Sequence, residues 1–198
     1  MKLFFDLETT GLPIQKSFDE NYPPEELDKY DSARIIEIAI ILVKDGKIHK
    51  TYTSLVKPDT FTTLNPKVTE ITGITDTDVV NEGRDFKDVL EDIKPLLKEA
   101  TVINSYNIKF DVNILLSEIF RVNDIDFFEY MKTKKTECTM QLSKKYFKKN
   151  YYLKLEKVYE TLFKEDPKQD HRAFGDTILC KEVYYKMKEN INKDKIKS

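Results

Sequence analysis

The chain has 198 residues, of which 40% are hydrophobic and 34% are charged, and its formal net charge is −2 at pH 7. These values predict one soluble domain with a sizeable core. They exclude a protein that binds nucleic acid through overall positive charge, although a local basic face is compatible with them.

The cysteines and the apolar runs indicate the cellular compartment of the protein. Cys138 and Cys180 lack the spacing of a zinc site or a disulfide framework, so we expect free buried thiols in a reducing compartment. We find no signal peptide, and no apolar run approaches the roughly 18 residues that a membrane span needs. We therefore expect a soluble cytoplasmic protein that contacts no membrane, with a nuclear location left open.

The first elements are strands. The run KLFFDLE predicts a β-strand and TTGLP a turn. Residues 17–31 hold six acidic residues against Lys29 and include a Pro-Pro pair, which predicts an exposed acidic loop inserted between strands. Two β-branched runs on either side of Asp45-Gly46 predict a hairpin.

The rest of the chain alternates helices with a strand. NPKVTEITGIT predicts a short helix with Pro66 near its start, and DFKDVLEDIKPLLKEA predicts a longer one whose last turn Pro95 kinks or shortens. TVINSY predicts a fourth strand and FDVNILLSEIFRV another helix, and HRAFGDTILCKEVYYKMKENI predicts a loop that enters a long final helix. This order predicts an α/β fold with a mixed sheet, as one domain over residues 1–190 and a polar tail over residues 191–198.

Carboxylates lie on the first predicted strand and at the start of the helix that follows the fourth strand. Asp6 and Glu8 share one face of the first strand, where they repel unless one is protonated or a cation lies between them. Such a pair suits Mg²⁺, although it also fits a solvated or salt-bridged strand edge. Asp111 follows the fourth strand at a helix start, where α/β folds gather functional groups and where the helix dipole alone also favours aspartate.

A histidine and an aspartate mark the start of the final helix. His171 and Asp176 form an H-x-x-x-x-D pair, with the histidine in a loop and the aspartate in the helix. The alternative for His171 is an ordinary solvated histidine, and the alternative for Asp176 is a surface aspartate. We interpret His49, on the hairpin, as an ordinary solvated histidine.

The stretches FDLETTGLP, NSYNIKFD and HRAFGD occur in the order of the three exonuclease motifs of the DEDD superfamily. The chain resembles the DEDDh branch, the DnaQ-like 3′–5′ exonucleases, over residues 3–187. The resemblance implies a ribonuclease H-like fold, which is a five-stranded mixed sheet with helices on both faces. The spacing before Asp176 indicates the histidine variant rather than the tyrosine variant of the family.

The resemblance also implies roles for individual residues. It places four metal-binding carboxylates at Asp6, Glu8, Asp111 and Asp176, which together hold two divalent cations, Mg²⁺ with Mn²⁺ as a substitute. It places the general base at His171, whose unperturbed pKa of about 6.5 suits proton transfer at neutral pH.

Substrate contacts are expected beside these groups. Leu12 matches an apolar residue that contacts the terminal bases in relatives. Thr9 and Asn107 are candidates for contacts to the 3′ end and a phosphate, with loop packing as the alternative. Tyr106 and Thr72 stand where the family often has histidine, and these departures bear on substrate contacts rather than on the metal site.

A basic stretch follows the second motif. Residues 132–157 carry nine lysines against two glutamates. We expect Lys148 and Lys149 to form i,i+4 pairs with Lys144 and Lys145 on one helix and to contact phosphates, while nearby tyrosines stack on bases. The alternative is a solvated lysine-rich face above core aromatics.

The expected function is a metal-dependent 3′–5′ exonuclease that removes nucleoside 5′-monophosphates from single-stranded ends, with DNA favoured and a role in proofreading or repair. The alternatives are an exoribonuclease or oligoribonuclease, a small-nucleotide phosphodiesterase, and a module of the same fold that docks on a DNA polymerase.

Overall fold

A computed structural model of the chain describes residues 1–17, 20–167 and 171–197. The strands are β1 (Lys2–Thr9), β2 (Gln15–Ser17), β3 (Glu20–Asn21), β4 (Ile35–Lys44), β5 (Lys47–Lys57), β6 (Arg84–Asp85), β7 (Val102–Ser105) and β8 (Lys135–Cys138). The helices are α1 (Pro66–Thr72), α2 (Asp76–Glu82), α3 (Phe86–Glu99), α4 (Ile108–Arg121), α5 (Ile125–Lys132), α6 (Thr139–Tyr146), α7 (Leu155–Phe163) and α8 (Ala173–Lys197).

One mixed sheet runs through the fold in the order β6-β5-β4-β1-β7-β8. Strand β1 pairs antiparallel with β4 and parallel with β7, and β7 pairs parallel with β8. The predicted α/β class and mixed sheet are confirmed. The sheet has six strands rather than five because the two residues of β6 pair with the end of β5. The carboxyl ends of β1, β7 and β8 meet at one edge, where such folds place their functional groups.

Side-chain alternation along β1 divides the core between the two faces of the sheet. Leu3, Phe5 and Leu7 pack with residues of α3, α4 and α5, while Phe4 packs on the opposite face with residues of α7 and α8. Because strand side chains alternate, Asp6 and Glu8 continue the face of Phe4 toward the carboxyl end of β1. Helices cover both faces, as expected.

Several local predictions are confirmed and one is wrong. Asp45 and Gly46 join β4 to β5 with φ values of 51° and 77°, as a tight hairpin requires, and Pro66 begins α1. Helix α3 continues through Pro95 to Glu99, so the expected shortening of its last turn is wrong, and the alternative of a kink stays a prediction. The helix buries Val89, Leu90, Ile93, Leu96 and Leu97, and this packing outweighs the hydrogen bond lost at proline.

The acidic insertion is more ordered than an exposed loop. Its first part forms the two-stranded β2–β3 hairpin, and a 3₁₀ turn spans Leu27–Lys29. Tyr30 is buried, and its hydroxyl donates a hydrogen bond of 2.5 Å to the carbonyl oxygen of Tyr22. Phe18 and Asp19 of the predicted loop lie outside the described residues. Tyr30 belongs to the hydrophobic core, and the acidic composition of the segment gave no indication of this contact.

The basic stretch differs from the prediction at the end of α6. The helix ends at Tyr146, and Lys148 adopts a left-handed conformation with φ of 51°. The N–H of Lys148 donates to the carbonyl of Lys145 and that of Lys149 to the carbonyl of Lys144, the pattern of a Schellman cap. The expected i,i+4 lysine pairs on one helix are therefore wrong, because Lys148 and Lys149 follow the helix.

The long final helix is confirmed, and its backbone continues to Lys197, so residues 191–197 extend α8. Ser198 lies outside the described residues. Within the described part of the chain, no helix is long and apolar enough to cross a membrane.

A buried ion pair fixes the turn after β1. Arg34, which directly precedes β4, donates from Nε to Glu118 Oε1 at 2.6 Å and from Nη2 to Glu118 Oε2 at 3.1 Å. Its backbone carbonyl accepts from the N–H of Thr10 at 2.9 Å, and its own N–H donates to Thr10 Oγ1 at 2.9 Å. The pair thus holds α4, the start of β4 and the first turn together.

We expect Arg34→Ala to lower the free energy of unfolding by about 3–5 kcal/mol, because the buried Glu118 carboxylate then loses both hydrogen bonds from Arg34 and keeps only the more distant Arg121, whose Nε lies 4.0 Å away. Lys50→Ala, which breaks the exposed pair of Lys50 with Glu99, is the control and should cost roughly 0–1 kcal/mol. Urea unfolding of both variants measures the difference. Equal losses would contradict the structural role of the buried pair.

Candidate active site

Three of the predicted site residues form one cluster. Asp6 and Glu8 extend from β1, and Asp176 comes from the first turn of α8, which packs on the same face. Their carboxylate oxygens lie within 4.8 Å of one another. A cluster of oxygen ligands of this kind suits a hard divalent cation such as Mg²⁺.

Asp111 stands beside this cluster. It lies in the first turn of α4, directly after β7, and it is buried. Ser105, at the end of β7, donates from Oγ to Asp111 Oδ2 at 2.6 Å. The negative charge of Asp111 raises the pKa of both Asp6 and Glu8, so the four carboxylates act on one another electrostatically. Ser105 was not singled out from the sequence, where nothing marks it as a hydrogen-bond donor to the site.

The pKa values of the cluster reflect burial and crowding. Burial, followed by the charge of Asp111, raises the pKa of Asp6 well above its usual value. Burial and the charge of Asp176 raise the pKa of Glu8 to about 8. Burial raises the pKa of Asp111 to about 7, although the hydrogen bond from Ser105 opposes this shift. These carboxyl groups therefore favour protons near neutral pH unless a cation compensates their charge.

A second layer of residues fixes the start of α8. Glu37 lies directly opposite Glu8 in the β1–β4 register. Its carboxylate accepts from Arg172 Nε at 3.1 Å, from Arg172 Nη2 at 2.5 Å, and from the backbone N–H of Ala173 at 2.9 Å. The carbonyl of Arg172 in turn accepts from the N–H of Asp176 at 3.1 Å. This chain of contacts ties the helix turn that carries Asp176 to the strand beside Glu8.

Glu37 and Arg172 were missed from the sequence, although a signal for Glu37 exists. Glu37 interrupts the apolar run IIEIAII on a strand that is buried on both faces. A buried carboxylate needs a cationic partner, and Arg172 is the neighbour of the predicted base.

His171 directly precedes Arg172 and is exposed. It adopts a left-handed backbone conformation with φ of 49°. Its side chain lines a cavity of about 730 Å³ together with Ile71, Tyr106, Leu153 and Lys154. The imidazole therefore borders an open cleft, where a base that acts on a bound substrate has to be.

A smaller cavity of about 190 Å³ lies next to this cleft and is lined in part by Leu12, Phe110 and Gln141. Asn107, Met140 and Tyr152 line both cavities and form a ridge between them. Leu12 is 75% exposed, so this apolar side chain is free to contact a ligand. Two sequence-predicted substrate residues, Leu12 and Asn107, thus border this region.

Other predicted substrate residues are placed differently. Thr9 donates from Oγ1 to the carbonyl of Gly11 at 2.7 Å, a contact that braces the turn after β1. Lys148 and Lys149 line neither cavity, whereas Lys154 lines the larger one. The Nζ of Lys144 lies 4.4 Å from the ring centre of Tyr152, so a lysine of α6 approaches the ridge.

Both departures from the family pattern have structural roles. Tyr106 donates from its hydroxyl to the carbonyl of Leu153 at 2.5 Å and so anchors the wall of the larger cavity. Thr72 is buried, donates to the carbonyl of Val68 at 2.9 Å, and accepts from the N–H of Ile74 at 3.1 Å. It caps the end of α1 rather than facing the cleft.

Comparisons with known proteins identify the family to which the chain is similar. The model of the exonuclease family RNase_T matches residues 3–184. The chain is 30% identical over 188 residues, 95% of its length, to DNA polymerase III PolC-type of Thermotoga petrophila. It is 31% identical over 139 residues, 70% of its length, to the 3′-5′ exonuclease DinG of Staphylococcus haemolyticus. The matches cover 12% and 13% of those two proteins, so the chain spans about an eighth of their length.

A solved structure supports the fold. The nuclease domain of 3′hExo, a DEDDh family member bound to rAMP, superposes with a TM-score of 0.68 at 17% identity. The alignment covers 96% of this chain and 92% of that domain. The ribonuclease H-like fold implied by the sequence is therefore confirmed.

The crowded carboxylates should make the metal-free protein less stable at higher pH. The pKa of Glu8 rises on folding from 4.5 to about 8, so the folded protein binds more protons in that range and stability falls as pH rises through it. We expect metal-free Glu8→Gln to melt at a higher temperature than the wild type at pH 8, with a difference that shrinks toward pH 5. Thermal melts measure this, and a difference independent of pH would contradict the assignment.

The contact of Glu37 with Arg172 should matter for metal binding. Glu37→Gln removes the negative charge that Arg172 contacts on β4, so it should loosen the first turn of α8 and weaken Mn²⁺ binding by about 10–100-fold. Calorimetric titration measures the affinity, and Glu99→Gln, at the end of α3, is the control. The chain has two histidines, so NMR can follow His171 separately from His49. Unchanged Mn²⁺ affinity with unchanged His171 signals would rule out this positioning role.

Proposed function

The chain belongs to the exonuclease family RNase_T, and from this premise we propose that it hydrolyses single-stranded nucleic acid from the 3′ end and releases nucleoside 5′-monophosphates. The observation that carries the proposal is the cluster of Asp6, Glu8 and Asp176, with Asp111 beside it. His171, five residues before Asp176 in the chain, lines an open cleft. Oxygen ligands in this number suit divalent cations better than any other common partner.

The donor set fits two cations, Mg²⁺ or Mn²⁺, held by Asp6, Glu8, Asp111 and Asp176. When bound, two such ions supply positive charge to the attacking and leaving oxygens of a phosphodiester and make a water more acidic. The pKa values of Asp6, Glu8 and Asp111 are raised in the metal-free protein, and bound cations would lower them again.

His171 is the proposed general base. Its imidazole takes the proton of the attacking water, whose oxygen forms the new bond to phosphorus. The bond from phosphorus to the 3′ oxygen of the preceding nucleotide breaks, and that oxygen leaves with the shortened strand. The ionic contact of Arg172 with Glu37 holds the backbone next to His171, so the base is positioned before substrate arrives.

DNA is the favoured substrate because one of the two relatives, the PolC-type protein, is a DNA polymerase. RNA is the second candidate, favoured by the rAMP bound to the nuclease domain of 3′hExo. The match to a PolC-type polymerase also suggests a DNA polymerase as a partner. Two alternatives remain. One is a docking module without activity, and the other is a phosphodiesterase that acts only on small nucleotides. An activity assay distinguishes both from the exonuclease.

We expect 5′-labelled single-stranded DNA to give a ladder that shortens from the 3′ end with Mg²⁺ or Mn²⁺, and none with EDTA. Asp6→Ala and Asp176→Ala should abolish the ladder without unfolding the protein, because each removes a cation ligand and relieves repulsion. His171→Ala should slow turnover by about 10²–10⁴-fold. His49→Ala is the matched control and should cleave like the wild type.

Parallel assays with RNA of the same sequence and with dinucleotides identify the substrate class. Cleavage of dinucleotides alone would favour the small-nucleotide phosphodiesterase. Undiminished cleavage by purified Asp176→Ala would refute the proposed site, and the absence of any product would favour a docking module.

A further inference from the structure

We infer that the protein has a second ligand site, which binds a phosphate group in a cavity between the start of α3 and the end of α4. The cavity measures about 210 Å³, and four cationic residues line it: Arg34, Lys57, Lys87 and Arg121. This inference goes beyond the proposed function and does not rest on it, because binding here requires neither divalent cations nor cleavage.

The cavity lies apart from the proposed reaction centre. Asp111 and Arg121 both belong to α4 and are ten residues apart. Because an α-helix rises about 1.5 Å per residue, this spacing separates them by roughly 15 Å along the helix axis. The described lining residues of this cavity include none of the four carboxylates and none that lines the two cavities near His171 and Leu12. A phosphate bound here is therefore not the one proposed to be hydrolysed.

The acidic residues of the lining already have partners. Glu118 accepts from Arg34 Nε at 2.6 Å, and Asp59 Oδ1 lies 2.8 Å from Arg34 Nη2. Asp85 accepts from the backbone N–H of Lys87 at 2.7 Å, so it caps the start of α3. The described lining thus holds four cations and three acids, a formal charge of +1. Because Asp85 occupies the helix start, side chains rather than the helix dipole would hold an anion.

Three donors of the lining are available to a ligand. Among the described residues, no ion pair engages the ammonium groups of Lys57 and Lys87, and both side chains are exposed. Arg121 Nε is buried and donates no hydrogen bond, since the carboxylate oxygen it faces, Glu118 Oε2, lies 4.0 Å away. A buried donor without an acceptor is costly, so an oxyanion that accepts from this nitrogen would stabilise the site.

These features fit a phosphate group better than a metal ion or an apolar ligand. Phosphate oxygens accept several charge-assisted hydrogen bonds at once, and arginine and lysine side chains provide such donors. The volume of about 210 Å³ is below the roughly 300 Å³ of pockets that enclose drug-sized ligands, so one small anion fits. The group is either inorganic phosphate or one phosphodiester of a nucleic-acid strand, since both present negatively charged oxygens.

The test is an NMR titration of the metal-free protein with inorganic phosphate at neutral pH, at constant ionic strength and with chloride as the reference anion. Without cations, the carboxylate cluster offers phosphate no positive charge, so it should not bind there. The amide signals of Lys87 and Val122, which line the cavity, should shift and reach saturation. This measurement needs no variant, and the absence of saturable shifts at these residues would overturn the inference.

Two double variants then locate the phosphate. Lys57→Gln combined with Lys87→Gln should raise the Kd for phosphate by about 2–30-fold, which is the worth of two exposed ion pairs. Lys157→Gln combined with Lys193→Gln removes the same charge from exposed positions of α7 and α8, on the other face of the sheet, and should leave the Kd unchanged. Equal losses in both variants would mean that only net charge matters and would overturn the inference.

Once phosphate binding is established, a short oligothymidylate without terminal phosphates identifies the source of the group. If the oligomer shifts the same signals and displaces phosphate, the site holds a phosphodiester of the strand. If it leaves these signals unchanged, the site holds free phosphate, and both results support the site. The outcome is independent of the cleavage assay, because a protein that binds phosphate here and cleaves nothing refutes only the proposed function.

Discussion

The repulsion among carboxylates at the carboxyl end of β1 is the constraint on which the site depends. Asp6, Glu8 and Asp176 bring their oxygens within 4.8 Å, and Asp111 adds a further charge beside them. A fold maintains such a cluster only if the surrounding structure is stable enough to hold the groups together. Here β1 lies near the centre of a six-stranded sheet with helices packed on both faces.

The supporting contacts connect the cluster to distant parts of the chain. Glu37 on β4 binds Arg172 and the backbone of Ala173, so the strand beside Glu8 also sets the position of Asp176. Ser105 orients Asp111 from the end of β7. Arg34, paired with Glu118, holds the turn that presents Leu12. The contacts of Glu37 with Arg172 and of Arg34 with Glu118 join segments that are 135 and 84 residues apart, whereas Ser105 and Asp111 are six residues apart.

Much of this arrangement could be predicted from the sequence, and the failures have physical causes. Alternation along KLFFDLE places Asp6 and Glu8 on one face, and Asp45-Gly46 specifies its hairpin, because both signals are local. The roles of Glu37 and Arg172 depend on a contact across 135 residues, which no local pattern encodes. Helix α6 ends before Lys148, which adopts the left-handed conformation that usually favours glycine. Because the sequence has a lysine there, it gives no signal for this helix end. The acidic composition of the insertion predicts an exposed loop, but the buried side chain of Tyr30 attaches the insertion to the core.

The central claim is that these carboxylates keep protons until divalent cations replace them. Calorimetric titration of the metal-free protein with Mn²⁺, repeated at pH 7 in buffers of different ionisation enthalpy, measures protons released per ion bound. Because the pKa of Glu8 is about 8 and that of Asp111 about 7, binding should release protons at pH 7 and progressively fewer as pH rises above 8. Binding without proton release, or no binding at all, would contradict the account.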